Sequence, residues 1–288
     1  MILKDYKLKF VEILSPIYDE MEVESFFYLI LEHLHHLKRI DLALNPGFQI
    51  AESELGKWDE ILSDLKTEKP IQYILGETEF YGLKFKVNEN VLIPRPETEE
   101  LVELILVENQ KPKVESLKIL DIGTGSGCIA ISLAKNLPNT QVFAIDVSKK
   151  ALETAKENAT LNGVEVNFIQ QNILEINDLT LDLRLSTFDV IVSNPPYVRM
   201  LEKEEIKPNV LENEPHLALF VEDDDALLFY RKIAQLAMKN LTENGKLYFE
   251  INQYLGKETV ELLDGLGFKN IELIKDIYNN NRMIRGTR

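Results

Sequence analysis

The stretch Leu120–Ala134, LDIGTGSGCIAISLA, joins an apolar segment to a helical one through a turn with Gly123, Gly125 and Gly127. Glycines let the backbone of such a turn approach a ligand at the N-terminus of the following helix. The spacing is G-x-G-x-G, and Cys128 stands where a dinucleotide-binding fingerprint has its third glycine. The pattern therefore disfavours a dinucleotide site, and a tight turn that binds no ligand remains the structural alternative.

The alternation of strand, turn and helix continues through the chain from about residue 97. Strands are predicted at 117–122, 140–146, 164–170, 188–193 and 246–251. Short apolar strands separated by helices predict an α/β fold, with a mainly parallel sheet that is covered on both faces. The C-terminal segments FKNIELIKDI and NRMIRGT, joined by YNNN, predict an antiparallel hairpin at the sheet edge.

The N-terminal part of the chain has helical rather than alternating spacing. The segment MEVESFFYLILEHLHHL predicts a helix with one apolar stripe, formed by Phe26, Leu29, Ile30, Leu34 and Leu37. A second helix, SELGKWDEILSDLKT, is predicted to bury Trp58, Ile61, Leu62 and Leu65. Residues 79–93 alternate around NEN (88–90), as a β-hairpin with its turn there does. We expect a small helical domain over 1–75, a β-hairpin linker over 76–96 and an α/β domain over 97–288.

Composition and charge narrow the classes of protein. The 288 residues are 45% hydrophobic and 28% charged, which is typical of a globular protein. No apolar run reaches the roughly 18 residues of a membrane span, so we expect no membrane partner and a cytoplasmic location. We expect a monomer, since nothing in the sequence demands a larger assembly. The net charge of −16 repels a nucleic-acid backbone. One cysteine forms no intramolecular disulfide, and His33, His35 and His36 do not converge on a metal, so no metal is expected.

Asp146 ends the segment VFAIDVS, about 20 residues after the glycine turn, where a carboxylate can accept both hydroxyls of a ribose. The helix that follows is predicted to begin at a Ser148 cap and to end at Asn162–Gly163. The alternative is a loop acid that only complements the helix dipole. The position of Asp146 relative to the glycine turn favours the ribose.

The segment SNPPYV, Ser193–Val198, follows the fourth predicted strand, at the sheet edge where such folds bind ligands. Asn194 offers an acceptor and two donors, whereas Pro195 and Pro196 leave their carbonyl groups free and Tyr197 supplies a flat face. These groups suit a planar substrate with an NH₂ group, whose hydrogens the Asn194 side-chain oxygen and the Pro195 carbonyl accept. The alternative is a rigid strand exit without a ligand.

Five segments carry a resemblance to a known family. DIGTGSG followed by NPPY resembles class I (Rossmann-like) S-adenosylmethionine-dependent enzymes that methylate a planar NH₂ group on adenine, guanine or glutamine. The segments at 70–103, which contain IPRPETE, together with EPHLALF (214–220) and FYRKI (229–233), look like the PrmC/HemK family of release factor glutamine methyltransferases. The similarity extends from about residue 65 to the end.

The resemblance implies transfer of a methyl group from S-adenosylmethionine to the side-chain nitrogen (N5) of the glutamine in the Gly-Gly-Gln motif of class I peptide chain release factors. The N-terminal domain would bind the release factor, and direct nucleic-acid binding is not expected. Asn194 to Tyr197 would act in catalysis and bind the glutamine. The cofactor residues would be Gly123, Thr124, Gly125, Ser126, Gly127, Asp146, Asn172, Ile173 and Asn194. The family usually has an acid and an aromatic residue where this chain has Asn172 and Ile173, so the adenine contacts depart from its pattern.

Two other functions stay open at this stage. A nucleic-acid amino methyltransferase shares NPPY but needs a basic face and a pocket for a flipped base, and the charge of −16 argues against it. A cofactor-binding module without catalysis would not need NPPY. Among the remaining residues, Arg95 could approach the cofactor or substrate or pair with Glu97 or Glu99 at a hinge, and the flanking prolines favour the hinge. Cys128 is expected to pack as an apolar group, and VEDDD (221–225) to form a solvated loop that caps the next helix.

Overall fold

A computed structural model describes residues 1–109, 116–182 and 187–288. The described residues form two compact units, Met1–Gly76 with Lys207–Asn213, and Glu77–Ile206 with Glu214–Arg288. The helices are α1 (Leu3–Leu14), α2 (Glu20–His35), α3 (Arg39–Leu44), α4 (Glu52–Leu65), α5 (Ile71–Leu75), α6 (Pro96–Asn109), α7 (Cys128–Asn136), α8 (Lys149–Asn162), α9 (Leu179–Asp182), α10 (Pro208–Asn213), α11 (His216–Leu219), α12 (Leu228–Asn240) and α13 (Gly256–Gly265).

The described strands all lie in the second unit, where helices separate most of them. They are β1 (Glu77–Phe80), β2 (Leu83–Lys86), β3 (Lys118–Ile122), β4 (Gln141–Asp146), β5 (Asn167–Gln170), β6 (Phe188–Ser193), β7 (Val198–Arg199), β8 (Phe220–Val221), β9 (Leu241–Glu250), β10 (Lys269–Lys275) and β11 (Asn281–Thr287).

The first unit is helical and has its own core. The four residues that we expected α4 to bury are all buried, and Trp58 lies edge-on to Tyr6 at a ring distance of 5.3 Å. The indole nitrogen of Trp58 donates to His35 Nε2 at 3.0 Å, which occupies that ring nitrogen. The stripe predicted for α2 is wrong at Leu29, which is 43% exposed. The helix buries Phe27 and Leu31 in addition to Phe26 and Ile30, so its buried face is wider than the predicted stripe.

The second unit contains a seven-stranded sheet in the order β10-β11-β9-β6-β3-β4-β5. Neighbours from β5 to β9 are parallel, while β11 is antiparallel to both β9 and β10. This confirms the mainly parallel sheet with an antiparallel C-terminal hairpin at its edge. The sheet is covered on both faces because side chains alternate: Ile119 and Val190 pack in one core, and Leu120 and Ile191 in the other.

The hairpin predicted within 79–93 exists, but its predicted turn at NEN is wrong. Strands β1 and β2 pair from Glu77–Lys86 to Phe80–Leu83, so the turn is Tyr81–Gly82, and both residues have positive φ. Such a pair matches the twist of a two-residue hairpin. Glu99 stabilises the turn, since its Oε1 accepts from Tyr81 N at 2.8 Å. In the structure this hairpin is part of the second unit.

Gly127 gives a stability prediction. It is the N-cap of α7 with φ +83°, and a Cβ there would lie 2.8 Å from Ile131 Cδ1 and 3.2 Å from Ala155 Cβ. We expect Gly127→Ala to lower the free energy of unfolding by about 1–2 kcal/mol through its positive φ and by about 1–3 kcal/mol more through overpacking. Gly163→Ala is the matched control, because Gly163 has φ +64° and no atom within 4 Å of its Cβ position. Equal losses in urea unfolding would contradict the packing role.

Candidate active site

The candidate site lies at the C-terminal ends of three neighbouring strands. Strand β3 lies between β4 and β6, and Ile122 is opposite Ile145 on one side and Ser193 on the other. The residues that follow each strand, among them Gly123 and Asn194, therefore reach the same edge of the sheet. This is the point at which the strand order reverses, where open α/β folds bind their ligands.

The Asp146 carboxylate connects the glycine turn to the start of α8. Its Oδ2 accepts from Gly125 N at 2.8 Å, and its Oδ1 accepts from Ser148 N at 2.8 Å. Burial raises the pKa of Asp146, and these backbone N–H groups oppose that rise. Each carboxylate oxygen has a further lone pair, so Asp146 can accept two hydroxyl groups while it retains both backbone contacts. Ser148 also caps α8, as expected, and Gly163 ends it in the left-handed conformation.

A cavity of about 260 Å³ opens beside this carboxylate. Eight of the residues predicted for the site line it: Gly123, Gly125, Asp146, Asn172, Ile173, Asn194, Pro195 and Pro196. Apolar side chains, including those of Ile145, Phe229 and Ile233, form other parts of the wall. One hydrogen-bonding carboxylate among apolar walls, with a glycine backbone at the entrance to a helix, fits a nucleoside that carries a ribose and a flat base.

Three predicted cofactor residues, Thr124, Ser126 and Gly127, are not among the described residues that line this cavity. The Thr124 hydroxyl donates to Asp121 Oδ2 at 2.6 Å, and burial raises the pKa of Asp121 to about 7. Ser126 is buried, and its carbonyl oxygen accepts from Asn158 Nδ2 at 2.9 Å. These hydrogen bonds stabilise the conformation of the turn. Any contact of Thr124, Ser126 or Gly127 with a cofactor stays a prediction.

The side chain of Asn172 already has partners on its own segment. Its Oδ1 accepts from Leu174 N at 3.1 Å, and its Nδ2 donates to Glu175 Oε1 at 3.1 Å. Ile173 is largely buried, with 8% of its surface exposed, and packs in the core beneath the cavity. Both residues line the cavity, where Ile173 offers an apolar surface to a flat base rather than an aromatic ring.

Asn194 belongs to a hydrogen-bonded network that the sequence did not predict. Its Nδ2 donates to Thr98 Oγ1 at 3.2 Å, and the Thr98 hydroxyl donates to Glu250 Oε2 at 2.6 Å. The Tyr197 hydroxyl donates to the other oxygen, Glu250 Oε1, at 3.0 Å. The main-chain oxygen of Tyr197 accepts from Asn252 Nδ2 at 3.0 Å. The NPPY segment is thus attached to the first turn of α6 and to the end of β9.

The carboxyl group at the centre of this network belongs to Glu250, which is 1% exposed. Burial raises the pKa of Glu250, while the hydroxyl donors Thr98 and Tyr197 and the nearby guanidinium of Arg282 oppose the rise. Burial and the neighbouring Glu250 charge both raise the pKa of Tyr197. Tyr197 therefore stays a neutral phenol and acts as a donor.

A second, smaller cavity of about 60 Å³ also has Asn194 in its lining. Its lining includes Arg95, Asn194, Tyr197, Leu219 and Glu250. Asn194 lines both cavities, whereas Pro195 and Pro196 line the larger one and Tyr197 the smaller one. The larger and the smaller cavity thus share lining residues, and the polar one among them is Asn194.

Two smaller predictions near the site are wrong. Arg95 does not pair with Glu97 or Glu99 but with Glu214, at 2.5 Å from Nη2 to Oε1. Glu214 also accepts from Ile93 N at 3.2 Å, so this buried acid has two partners.

The VEDDD segment does not cap α12, whose N-cap is Leu227 without a side-chain hydrogen bond. Its Asp225 pairs with Arg231, and its Asp223 accepts from Leu201 N. Cys128 packs in the core as expected, and burial raises the pKa of its thiol to about 12.

Thr98, Glu214 and Glu250 were not among the predicted site residues. They lie in IPRPETE (93–99), in EPHLALF (214–220) and in the strand predicted at 246–251. An acid at the carboxyl end of a predicted buried strand is a signal that was present for Glu250. Nothing local indicated Thr98 as its partner, because the two residues are 152 positions apart.

Comparisons with known proteins give consistent matches. A family model described as a methyltransferase domain matches residues 113–285, and one described as the PrmC N-terminal domain matches residues 11–76. A release factor glutamine methyltransferase of Flavobacterium psychrophilum is 65% identical over 286 residues, which cover 99% of each chain. One of Bacteroides thetaiotaomicron is 41% identical over 275 residues, which cover 96% of each chain.

A solved structure supports the fold alone. The crystal structure of a methyltransferase from Pyrococcus furiosus matches with a TM-score of 0.50 and 19% identity, over 72% of this chain and 90% of that chain. None of the helices in the described ranges is long and apolar enough to cross a membrane.

Proposed function

Because the chain belongs to the release factor glutamine methyltransferase family, we propose that its larger cavity holds S-adenosylmethionine and its smaller cavity a glutamine side chain. The protein is an S-adenosylmethionine-dependent methyltransferase that modifies a glutamine of a release factor. The observation that carries the assignment of the cavities is that Asn194 lines both of them. A group between donor and acceptor is placed to align the nitrogen with the methyl group.

On the donor side, we propose that Asp146 accepts the two ribose hydroxyls and that Asn172 and Ile173 flank the adenine. The turn from Gly123 to Gly127, with Thr124 and Ser126, brings backbone close to the rest of the molecule. When bound, S-adenosylmethionine supplies an electrophilic methyl group on a positively charged sulfur. The apolar walls of the cavity favour the flat base and exclude water from it.

On the acceptor side, the chemical difficulty is that an amide nitrogen is a poor nucleophile, since its lone pair is delocalised. We propose that the glutamine NH₂ group lies where the two cavities share Asn194, so that Asn194 Oδ1 and the carbonyl of Pro195, a residue of the larger cavity, accept its two hydrogens. Pro196 from the larger cavity and Tyr197 from the smaller one are proposed to confine its plane. Transfer of the methyl group to this nitrogen would leave a neutral thioether on the donor side and one surplus hydrogen on the nitrogen, which would pass to solvent as a proton along the bonds to these two acceptors. Positioning and polarisation by fixed acceptors lower the barrier to this step.

The finer statements about partners are also proposals. The Gly-Gly-Gln motif of class I release factors is the acceptor that we propose, and the helical N-terminal unit is proposed to bind the release factor. The net charge of −16 favours a basic protein surface over a phosphate backbone as partner. We propose a monomer, since the described residues of one chain supply the lining of both cavities. We also propose a cytoplasmic location.

A competition experiment tests this function against nucleic-acid methylation. The protein is incubated with labelled S-adenosylmethionine in a mixture of a class I release factor and total RNA and DNA. We expect label in the release factor and none above background in the nucleic acid. Label in RNA or DNA, with an unlabelled release factor, would overturn the proposal.

A further inference from the structure

Thr98 is a buried hydroxyl, 3% exposed, between Asn194 and Glu250. A hydroxyl group has a single hydrogen to donate. Thr98 donates it to Glu250 Oε2 at 2.6 Å, so toward Asn194 its oxygen can only accept. The Asn194 group 3.2 Å from Thr98 Oγ1 must therefore be the donor, Nδ2. The hydrogen-bonding network fixes which end of the amide faces Thr98.

Glu250 gives this network its direction. Its two carboxylate oxygens accept from different hydroxyls, Thr98 on α6 and Tyr197 after β6. The main-chain oxygen of Glu250 accepts from the Tyr230 hydroxyl at 3.4 Å, which secures the end of β9 separately from the carboxylate. Because a carboxylate can only accept, the hydrogen of the Thr98 hydroxyl must point toward Glu250 in this bond. The chain of bonds runs from Asn194 to Thr98 to Glu250.

We propose that Thr98, held by Glu250, is a positioning residue that directs Asn194 Oδ1 away from α6 and toward the methyl acceptor. This inference rests on the proposed function, since it explains how the site comes to present an acceptor atom. A glutamine amide gives N–H hydrogens to that atom. A glutamate side chain of the same shape has only oxygens to offer and is repelled. The bond from Thr98 therefore contributes to the choice of amide over carboxylate.

The kinetic test compares three variants, each of which replaces one buried threonine. Thr98→Val removes the acceptor for Asn194 and is expected to lower kcat for release factor methylation about tenfold, the effect of losing one ordinary hydrogen bond. The KM for S-adenosylmethionine is expected to stay unchanged. Thr98→Ser keeps the hydroxyl and is expected to restore kcat. Thr259→Val is the matched control, because Thr259 is equally buried and donates to Leu255 O at 2.7 Å, away from both cavities.

A double-mutant cycle separates positioning from general damage. If Thr98 acts through Asn194, Thr98→Val is expected to have no further effect in the Asn194→Ala background, measured in single turnovers. Should the valine variant fail to fold, as judged by circular dichroism, Thr98→Ala replaces it in the same cycle. An equal loss of kcat in both backgrounds, or a serine variant as slow as the valine one, would overturn the proposal.

A measurement without cofactor or acceptor keeps this inference distinguishable from the proposed function. The side-chain amide signals of Asn194, identified by their loss in Asn194→Ala, are followed by nitrogen-15 NMR. We expect Thr98→Val to speed exchange of these amide protons with solvent about tenfold, and Thr98→Ser and Thr259→Val to leave it unchanged. Unchanged exchange in Thr98→Val would refute the bond from Thr98. Absence of release factor methylation by the wild type would instead refute the proposed function.

Discussion

Asn194→Ala is expected to slow methyl transfer about 100- to 1000-fold, the range found when one fixed polar group that stabilises a transition state is removed. The physical reason is that Asn194 lines both cavities and supplies the acceptor that we assign to the glutamine NH₂ group. Binding of S-adenosylmethionine is expected to change little, because Asp146 and the glycine turn remain in place. The rate is measured in single turnovers with saturating S-adenosylmethionine, and binding by titration calorimetry.

Asn109→Ala is the matched control for this variant. Asn109 ends α6, and its Nδ2 donates to Ile105 O at 2.8 Å, so the change removes a similar amide outside both cavities. We expect wild-type rates for it. A rate for Asn194→Ala near that of the wild type would show that the role given to Asn194 is wrong. A parallel loss of S-adenosylmethionine binding would show instead that Asn194 serves the cofactor.

Asp146→Ala is expected to weaken S-adenosylmethionine binding by roughly 100-fold. A hydrogen bond to a charged group contributes about 1.5–3 kcal/mol, and about 1.4 kcal/mol corresponds to a tenfold change in affinity, so two ribose hydroxyls account for at least this factor. The change also frees Gly125 N and Ser148 N, which loosens the turn that approaches the cofactor. The dissociation constant is measured by calorimetry without release factor.

Asp189→Ala provides the control for that change. Asp189 also accepts from a backbone nitrogen, Lys118 N at 2.9 Å, and from the Thr242 hydroxyl at 3.2 Å, but it does not line either cavity. We expect it to lose stability without losing affinity. An Asp146→Ala protein that binds S-adenosylmethionine as tightly as Asp189→Ala would contradict the ribose contact.

The parallel sheet and the position of the site were predictable from the sequence because both follow from local patterns. Apolar segments alternating with helices determine a parallel sheet, and the carboxyl ends of its strands share one edge. Gly123, Asp146 and Asn194 each follow such a segment, so their meeting could be inferred without knowing any contact.

Contacts between distant segments could not be predicted in this way. Arg95 had two acids nearby in sequence, yet it pairs with Glu214, 119 residues away. The alternation of residues 79–93 around NEN predicts the hairpin turn there, whereas the observed pairing already ends at Lys86, before NEN. The observed turn depends on Tyr81, whose positive φ of 51° is uncommon for a bulky residue. Glu99 supports that conformation from another element, so its cause lies in tertiary structure.

The most direct test of the central claim is to locate the transferred methyl group. A class I release factor is treated with this protein and S-adenosylmethionine, then digested and fragmented in a mass spectrometer. The account predicts one added methyl group on the side chain of the glutamine in the Gly-Gly-Gln motif, absent when Asn194→Ala replaces the wild type. A methyl group on another residue, on the main chain, or on this glutamine at the same rate in the variant would contradict it.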